Sequence, residues 1–380
     1  MIHIDMEIYN ISDMDNFLKD NHQKIVFISG VTGQDGSYMV DYLLENTDYK
    51  IIGGARRLSV ENHKNLEHLK SNKKSKERFR LVNFDLTDAH SIDKLVCTIK
   101  PDYFINLAAQ SFVKSSWDFP SQTFECNTMA VIHELEAIRK YKPECRFYQA
   151  GSSEEFGDVI YTPQDEIHPL RPRSPYGASK VSARQIVKVY RESYNLFAIS
   201  GFLFNHESER RGEEFVTRKI TKGVARLNYA YKNNIEELKY PIELGNINAQ
   251  RDWSHSLDFV DGIWKMLNNK KPIEYILSSN ESHSIKEFVK SAFDCTDLDK
   301  DGYWHNNNFS NKLDTWYNCN INGKNEKMVI INPNYYRPAE VNILQGNSDR
   351  ARNELNWKPT ISFNELVKRM VENDIKNFKL

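Results

Sequence analysis

Net charge is almost absent from this sequence: 51 Lys and Arg stand against 52 Asp and Glu in 380 residues, for a formal charge of -1. A chain so balanced has no global field to draw it onto nucleic acid or anionic lipid, so an anionic ligand must be held by a local basic site. Long apolar runs are missing as well, and nothing approaches the ~18 residues of a membrane span. Met1 to Asn21 is acidic and lacks the apolar core of a secretory signal. The cysteines are few, odd in number and irregularly spaced: Cys97, Cys126, Cys145, Cys295 and Cys319. That spacing fits neither a disulfide framework nor a zinc site, and it points to free thiols in a reducing cytoplasm. Eleven histidines include no HExxH and no His/Cys cluster, so no metal is expected. Internal repeats and Pro/Gly/Ser linkers are also lacking. The basic run Lys70–Arg80 is without the interleaved aromatics of a nucleic-acid patch and reads as a solvated helix or loop.

Apolar residues, in contrast, are plentiful. Hydrophobic side chains make up 40% of the chain and aromatic ones 12%, which supplies a sizeable core and excludes disorder for the bulk. The length suits either two to three domains or one large α/β domain with insertions. The first half alternates short β-branched runs with helical patterns. Strands are expected at Lys24–Ile28, at Ile51–Ile52 ending on Gly53-Gly54, at Phe79–Phe84, Tyr103–Leu107, Phe147–Ala150 and Phe197–Phe204. Helical spacing lies between them, at Tyr38–Leu44, Ile92–Ile99, Thr128–Lys140 and Pro175–Tyr194. This rhythm predicts an α/β fold with a doubly wound parallel sheet of the Rossmann type. From about residue 205 the rhythm weakens, with short helices at Ser284–Phe293 and Phe363–Phe378, which predicts a smaller C-terminal lobe.

Gly30-Val-Thr32-Gly33-Gln34-Asp35-Gly36 follows a strand and opens a helix. Glycines there permit a tight turn and close approach to a pyrophosphate, while the helix N-terminus offers N–H groups and positive dipole. The spacing is GxxGxxG rather than GxGxxG, and it is the strand–turn–helix context that gives it weight. At the end of the second strand, where an NAD enzyme usually offers Asp or Glu to the ribose, stand Arg56, Arg57 and Ser59. Guanidinium groups suit a 2′-phosphate, so the expected cofactor is NADP. Asp85-Leu86, after the third strand, suits the adenine; Asp85 could equally cap a helix.

Pro175-Tyr176-Gly-Ala-Ser-Lys180 contains YxxxK, which puts phenol and ammonium on one helix face near its start. A lysine ammonium beside a phenol favours the phenolate, which can take a hydroxyl proton as a hydride leaves the same carbon. Ser152, Ser153 and Glu154 follow the fifth strand, at the sheet end where ligands bind. Ser152 can hydrogen-bond the reacting oxygen. Glu154 is a carboxylate that simple hydride transfer does not need, and it suggests a second proton transfer with loss of water. Caps for the serines and a surface acid for Glu154 are the plainer alternative.

These residues resemble the extended short-chain dehydrogenase/reductase superfamily and, more narrowly, the GDP-mannose 4,6-dehydratase family. The likeness runs from about Ile25 to the C-terminus and is carried by GVTGQDGSY (30–38), NLAAQSFVKSS (106–116), QAGSSEEFG (149–157), RSPYGASK (173–180), FNHESERRG (204–212), FVTRKI (215–220), LGNINAQRDW (244–253) and YYRPAEV (335–341). It implies hydride transfer from sugar C4 to NADP+, removal of the acidified C5 proton, departure of the C6 hydroxyl as water, and return of the hydride to C6. It implies Tyr176 as base at the C4 hydroxyl, Lys180 as its partner, Glu154 as the base at C5, and Ser152 as a ligand of the C4 oxygen. For the cofactor it adds Leu107, Ala109, Ser111, His206 and Arg211. For the nucleotide sugar it implies Gln110, Ser111, Ser152 and Glu154, then Asn205, Lys219 and Arg251, and last Arg337 and Glu340. Residues 1–22 form an extension without counterpart in the family. Residues 23–204 then become an NADP-binding Rossmann domain, and 205–380 mainly a sugar-nucleotide-binding lobe with some segments returning to the first domain.

The sequence departs from the family's pattern in places. Ser152 stands where the family has Thr, Glu155 where an apolar residue is usual, and Gln122 where a tyrosine contacts the cofactor. Leu58 interrupts an RRSS run, and Asn65 replaces an arginine that meets a neighbouring subunit. The segment Thr296–Lys327 matches poorly. In assembly the resemblance implies a homodimer through the helices Thr128–Lys140, with Val131, Leu135 and Ile138, and Pro175–Tyr194, with Val181, Ile186 and Val189. A tetramer would use the loop of Leu58 and Asn65. Other functions compatible with the residues are a GDP-manno-heptose 4,6-dehydratase, a GDP-sugar 4-dehydrogenase or epimerase without the elimination, and an NADP-binding sensor without turnover.

Overall fold

The computed structural model describes residues 8–19, 23–57, 63–298, 302–306, 314–321, 323–336, 339 and 341–379. The chain divides into two compact units. The first comprises Met1–Leu203, Ser256–Leu277 and Asn347–Lys358, and the second Phe204–His255, Ser278–Gly346 and Pro359–Leu380. Two stretches of the C-terminal half therefore belong to the first unit.

An all-parallel sheet of eight strands forms the middle of the first unit: β1 (Ile8–Tyr9), β2 (Ile25–Ser29), β3 (Lys50–Ala55), β4 (Phe79–Asn83), β5 (Tyr103–Asn106), β6 (Arg146–Ala150), β7 (Ala198–Leu203) and β8 (Ile276–Leu277). Their order is β1-β4-β3-β2-β5-β6-β7-β8, so the winding reverses between β2 and β5. In doubly wound sheets the crevice at that switch point, outside the carboxyl ends of the strands, is where ligands bind. Helices α1 (Gln34–Asn46), α2 (Ala89–Ile99), α3 (Ala130–Tyr141), α4 (Pro175–Tyr194) and α5 (Ser256–Leu267) cover the two faces. The alternation of side chains along a strand divides the core. Val26 and Ile28 share one cluster with Met39 and Leu43 of α1 and Phe259 of α5. Phe27 joins Ile92 of α2, Leu135 of α3 and Val187 of α4 on the other face.

Three differences from the sequence reading have physical causes. Strand β3 does not end on Gly53-Gly54 but runs through both to Ala55. A Cβ on Gly53 would lie 2.8 Å from the Val31 methyls, and one on Gly54 2.7 Å from the Phe27 ring, so these glycines make room for neighbours rather than turn the chain. The helix expected over Thr128–Lys140 begins instead with a π-helical turn, Glu125–Met129, and only then becomes α3. Finally, Val131, Leu135 and Ile138 are not surplus apolar groups waiting for a partner. All three are completely buried in the unit's own core.

The described part of the N-terminal extension has a place in the fold. Ile8 and Tyr9 pair with Leu81 and Val82, making β1 the edge strand, and Ile11 and Met14 are buried in the core beside α2. The guanidinium of Arg80 lies 4.6 Å from the Phe17 ring centroid. Within the basic run, Arg78 donates to the carbonyls of Leu44 and Thr47, closing the C-terminal end of α1.

The second unit packs helices Val216–Asn233, Ile285–Asp294 and Phe363–Asn377 on a four-stranded sheet ordered Tyr303–Asn306, Thr315–Ile321, Lys324–Ile331, Ile242–Leu244. Val224, Phe288, Phe293, Met328 and Met370 are fully buried in its core. The poorly matched segment of the sequence thus supplies an antiparallel sheet, whose inner aromatics, such as Tyr317 stacked 5.1 Å from Phe293, belong to that core.

Candidate active site

The glycine turn closes at the carboxyl end of β2. Gly30 has φ +67°, and a Cβ there would lie 2.7 Å from the Ala108 nitrogen, so only glycine serves at the switch point. Gly33 then caps the start of α1, with Gln34, Asp35 and Gly36 in its first turn. The carboxylate of Asp35 accepts the Ser256 hydroxyl at 2.6 Å, tying α1 to α5; its side chain is thereby engaged within the protein. Asn65 donates to the Thr32 carbonyl at 3.0 Å, so this residue braces the turn of its own chain. Arg56 and Arg57 follow β3 and are exposed, while Leu58 and Ser59 lie outside the described residues. Asp85 accepts from the backbone and hydroxyl of Thr87 at 2.9 and 2.7 Å, and it is Asp88, not Asp85, that caps α2. Cys126 lies in the fields of both Asp85 and Arg56: burial raises its pKa most, Asp85 adds to that, and Arg56 opposes it. A helix N-terminus on a glycine turn fits the pyrophosphate of a nicotinamide dinucleotide, and two exposed guanidiniums stand at the end of the next strand.

The YxxxK residues stand in the first turns of α4. Pro175 occupies its first position and the Ser174 hydroxyl accepts from the Gly177 N–H at 3.0 Å, which fixes the helix start. The Lys180 ammonium lies 5.8 Å from the Tyr176 ring centroid and donates to the Ala150 carbonyl at 2.8 Å. Burial lowers the pKa of Lys180 to about 8, against an upward pull from Glu155 and Glu134. Directly after β6, Ser153–Glu155 make a 3-10 turn capped by Ser152, whose hydroxyl accepts from the Glu154 N–H at 3.2 Å. A hydroxyl that accepts one bond keeps a proton to donate, so the cap does not remove Ser152 from chemistry. The turn rests on the start of α4: a Cβ on Gly177 would lie 2.7 Å from the Glu154 carbonyl oxygen. Ser152, Glu154, Tyr176 and Lys180 are therefore held by two elements in direct contact.

Four polar residues behind this corner were not singled out from the sequence. Asn106, at the end of β5, donates to Glu134 and to Gln149, each at 2.8 Å, and accepts from Ser29 at 2.5 Å. Ser29 in turn accepts from the Ala108 N–H, and Gln149 donates to the Ala150 carbonyl that holds Lys180. Glu134 is wholly buried, and burial holds its carboxyl well above the usual carboxylate range while Lys180 pulls it down. Asn127, in the π turn, bonds both the N–H and the carbonyl of Gln110, and the Ser179 hydroxyl of α4. The widened turn thus pins the 107–111 segment, with Leu107, Ala109, Gln110 and Ser111, to α4. Arg184, the fourth, pairs with Glu155. The available signal was a Glu and an Arg on otherwise apolar helix faces.

The second unit carries the remaining candidates. Asn205 and His206 lie on a short strand paired in parallel with Trp253–His255. The side-chain oxygen of Asn205 is buried with no hydrogen-bond partner among the described residues, and His206 Nδ1 meets the Phe204 carbonyl at 2.7 Å. Arg211 is committed to neighbours, 3.0 Å from Glu207 and 3.5 Å from the Phe215 ring centroid. The ammonium of Lys219 lies 3.7 Å over Tyr335, and Arg251 donates to the Val341 carbonyl at 2.8 Å. Both cations therefore meet the YYRPAEV segment at its ends, although Arg337 and Glu340 themselves lie outside the described residues.

Comparison with known proteins identifies the family. The family model described as GDP-mannose 4,6 dehydratase matches residues 27–370. The GDP-mannose 4,6 dehydratase of Drosophila melanogaster is 42% identical over 367 residues, covering 94% of this chain and 87% of the relative. The human protein of that name is 40% identical over 358 residues, covering 93% and 92%. Among solved structures, dTDP-glucose 4,6-dehydratase from Bacillus anthracis in complex with NAD superposes with a TM-score of 0.70 at 20% identity, covering 93% of this chain and 97% of that one, a likeness of fold alone. Match to the family model across most of the chain, and identity near two-fifths with relatives over nearly their whole length, lead to one conclusion: the chain belongs to the GDP-mannose 4,6-dehydratase family.

Proposed function

We propose that the protein dehydrates GDP-mannose to GDP-4-keto-6-deoxymannose, using a nicotinamide dinucleotide that is regenerated in each turnover. The observation that carries the reading is the meeting of Ser152, Glu154, Tyr176 and Lys180 at the carboxyl end of β6. When bound, the dinucleotide supplies an acceptor for the hydride of sugar C4 and a donor for C6. The phenol of Tyr176 takes the proton of the C4 hydroxyl, and the Lys180 ammonium stabilises the charge on the phenolic oxygen. Ser152 donates its free hydroxyl proton to the C4 oxygen. Glu154 removes the C5 proton once C4 is a ketone and passes it to the departing C6 hydroxyl, which leaves as water; when the hydride reaches C6, C5 regains a proton that comes from solvent. Asn205, Lys219, Arg251, Arg337 and Glu340 hold the nucleotide sugar in this reading, through charge-assisted bonds to its diphosphate and base, and His206 serves the cofactor.

We further infer NADP rather than NAD, because Arg56 and Arg57 stand where an NAD enzyme places an acid. Cytoplasmic residence is supported by the five cysteines, none of them in a disulfide, which suit a reducing compartment. The protein is proposed to be a homodimer, with Val189 kept from the side chains first expected and the buried Val131, Leu135 and Ile138 replaced by others. Phe119, Phe124, Met129, Val189 and Tyr194 remain exposed on α4 and on the helical turns Ser115–Asp118, Pro120–Phe124 and Glu125–Met129 beside it. These are apolar side chains that a second copy would cover. A tetramer would require further contacts through the loop of Asn65.

Three outcomes are expected. Glu154→Gln is nearly isosteric, so folding and C4 oxidation survive while water loss falls at least ~100-fold; dehydration at near-native rate would remove Glu154 from its role. Arg56→Ala weakens NADP roughly tenfold or more and leaves NAD nearly unchanged in titration calorimetry; equal losses would make Arg56 a scaffold residue. Light scattering gives a dimeric mass for the native chain and a monomeric one for Val189→Glu, whereas a native monomer would refute the interface.

A further inference from the structure

We propose that the buried Glu155–Arg184 pair is a positioning device for the reaction: it clamps the turn bearing Ser152 and Glu154 to the helix bearing Tyr176 and Lys180, and it sets two opposed charges beside Lys180. The inference rests on reading Tyr176 and Lys180 as the proton-transfer pair.

The geometry is closed on every side. Glu155 is fully buried and the Arg184 side chain is 5% exposed. One carboxylate oxygen accepts from the Ser152 N–H at 2.8 Å and from Arg184 Nη2 at 3.1 Å, and the other accepts from Arg184 Nε at 2.5 Å. The remaining guanidinium donors hold the carbonyls of Ser200 and Gly201, on β7, at 2.6 and 3.1 Å. One ion pair thus joins the catalytic turn, α4 and β7. It also occupies the space a side chain would need at Gly151: a Cβ there would lie 2.2 Å from the Gly201 oxygen, 2.5 Å from Arg184 Nη2 and 2.6 Å from Glu155 Oε1. The residue before Gly151 is Ala150, whose carbonyl receives the Lys180 ammonium. Arg184 stands one helical turn after Lys180, on the same face.

Stability alone does not account for such a pair. Removing two charges from water costs several kcal/mol per ion, and apolar replacements of similar volume are often as stable. The charges do have a neighbour to act on. Lys180 is faced by Glu155 from the turn after β6, by Arg184 on its own helix and by Glu134 from α3, with the Tyr176 phenol beside it. Glu155 and Glu134 favour its charged form, while burial and Arg184 oppose it. The opposed charges of the pair largely cancel, so removing either one alone unbalances Lys180. Without the carboxylate charge, Lys180 loses its proton at lower pH; without the guanidinium, at higher pH.

The test is the pH dependence of kcat for GDP-mannose dehydration in the native protein, Glu155→Gln, Arg184→Gln and the double variant. In this reading loss of the Lys180 proton sets the descending limb, expected near pH 8 in the native protein. The limb is expected to move down by about one pH unit in Glu155→Gln and up in Arg184→Gln. In the double variant it returns close to its native position while kcat stays low, because the clamp on Ser152 is gone. A role confined to stability would lower kcat without moving the limb in opposite directions. Should Arg184→Gln fail to fold, Glu155→Gln and the double variant decide the matter between them. Limbs that coincide in the native protein and Glu155→Gln, or a double variant displaced as far as Glu155→Gln, would overturn the proposal. Lys180→Met separates this from failure of the underlying reading. If it is inactive while the limbs do not move, only the pair is refuted; if it stays active, the proton-transfer pair itself is refuted.

Discussion

The candidate site depends on one hydrogen bond, from the Lys180 ammonium to the Ala150 carbonyl. A buried cation must be partnered, and this partner is the last residue of a central strand. The bond fixes α4 against the end of β6, and with it the position of Tyr176 one turn earlier. It also fixes the Ser152–Glu154 turn, which begins two residues after Ala150. Burial pushes Lys180 towards losing its proton near physiological pH, so the surrounding charges decide its state. Three carboxyl or guanidinium groups of the core, Glu134, Glu155 and Arg184, are placed where they do so.

A second set of polar contacts connects that corner to the glycine turn. The path runs from Ala150 through Gln149 to Asn106, and from Asn106 through Ser29 to Ala108. Ala108 is the residue that a Cβ on Gly30 would strike. The turn that fits a pyrophosphate and the strand end that holds Lys180 are therefore linked by buried hydrogen bonds across β2, β5 and β6. In a low-dielectric interior such a chain is rigid only when its members are satisfied, and most of its atoms are. In the proposed reaction, both halves of the chemistry, hydride and proton, would thus share one scaffold within the first unit.

Much of this was legible in the sequence. Strand runs and helical spacing gave the doubly wound sheet, because burial on two faces leaves continuous apolar strands that alternate with amphipathic helices. Pro175 ahead of Tyr176 announced the start of α4, since a first-turn proline acts locally. What escaped depends on partners distant in sequence. Gly53-Gly54 reads as a break until Val31 and Phe27 are seen to fill its place. The π turn at Glu125–Met129 follows from Asn127 reaching both polar groups of Gln110, seventeen residues upstream. Glu134 and Arg184 stand on otherwise apolar helix faces and Glu155 where an apolar residue is usual, but the partners that let these charges be buried are distant in sequence. Val131, Leu135 and Ile138 misled for the same reason, because helical spacing shows that a face is apolar but not what covers it.

The hydride path is tested most directly with GDP-mannose deuterated at C4 and a single catalytic charge of the dinucleotide. If one cofactor takes the hydride from C4 and returns it within the same active site, the dehydrated product carries the deuterium at C6 and none is lost. Deuterium accumulating in released reduced cofactor, or a product with only solvent hydrogen at C6, would contradict the internal transfer.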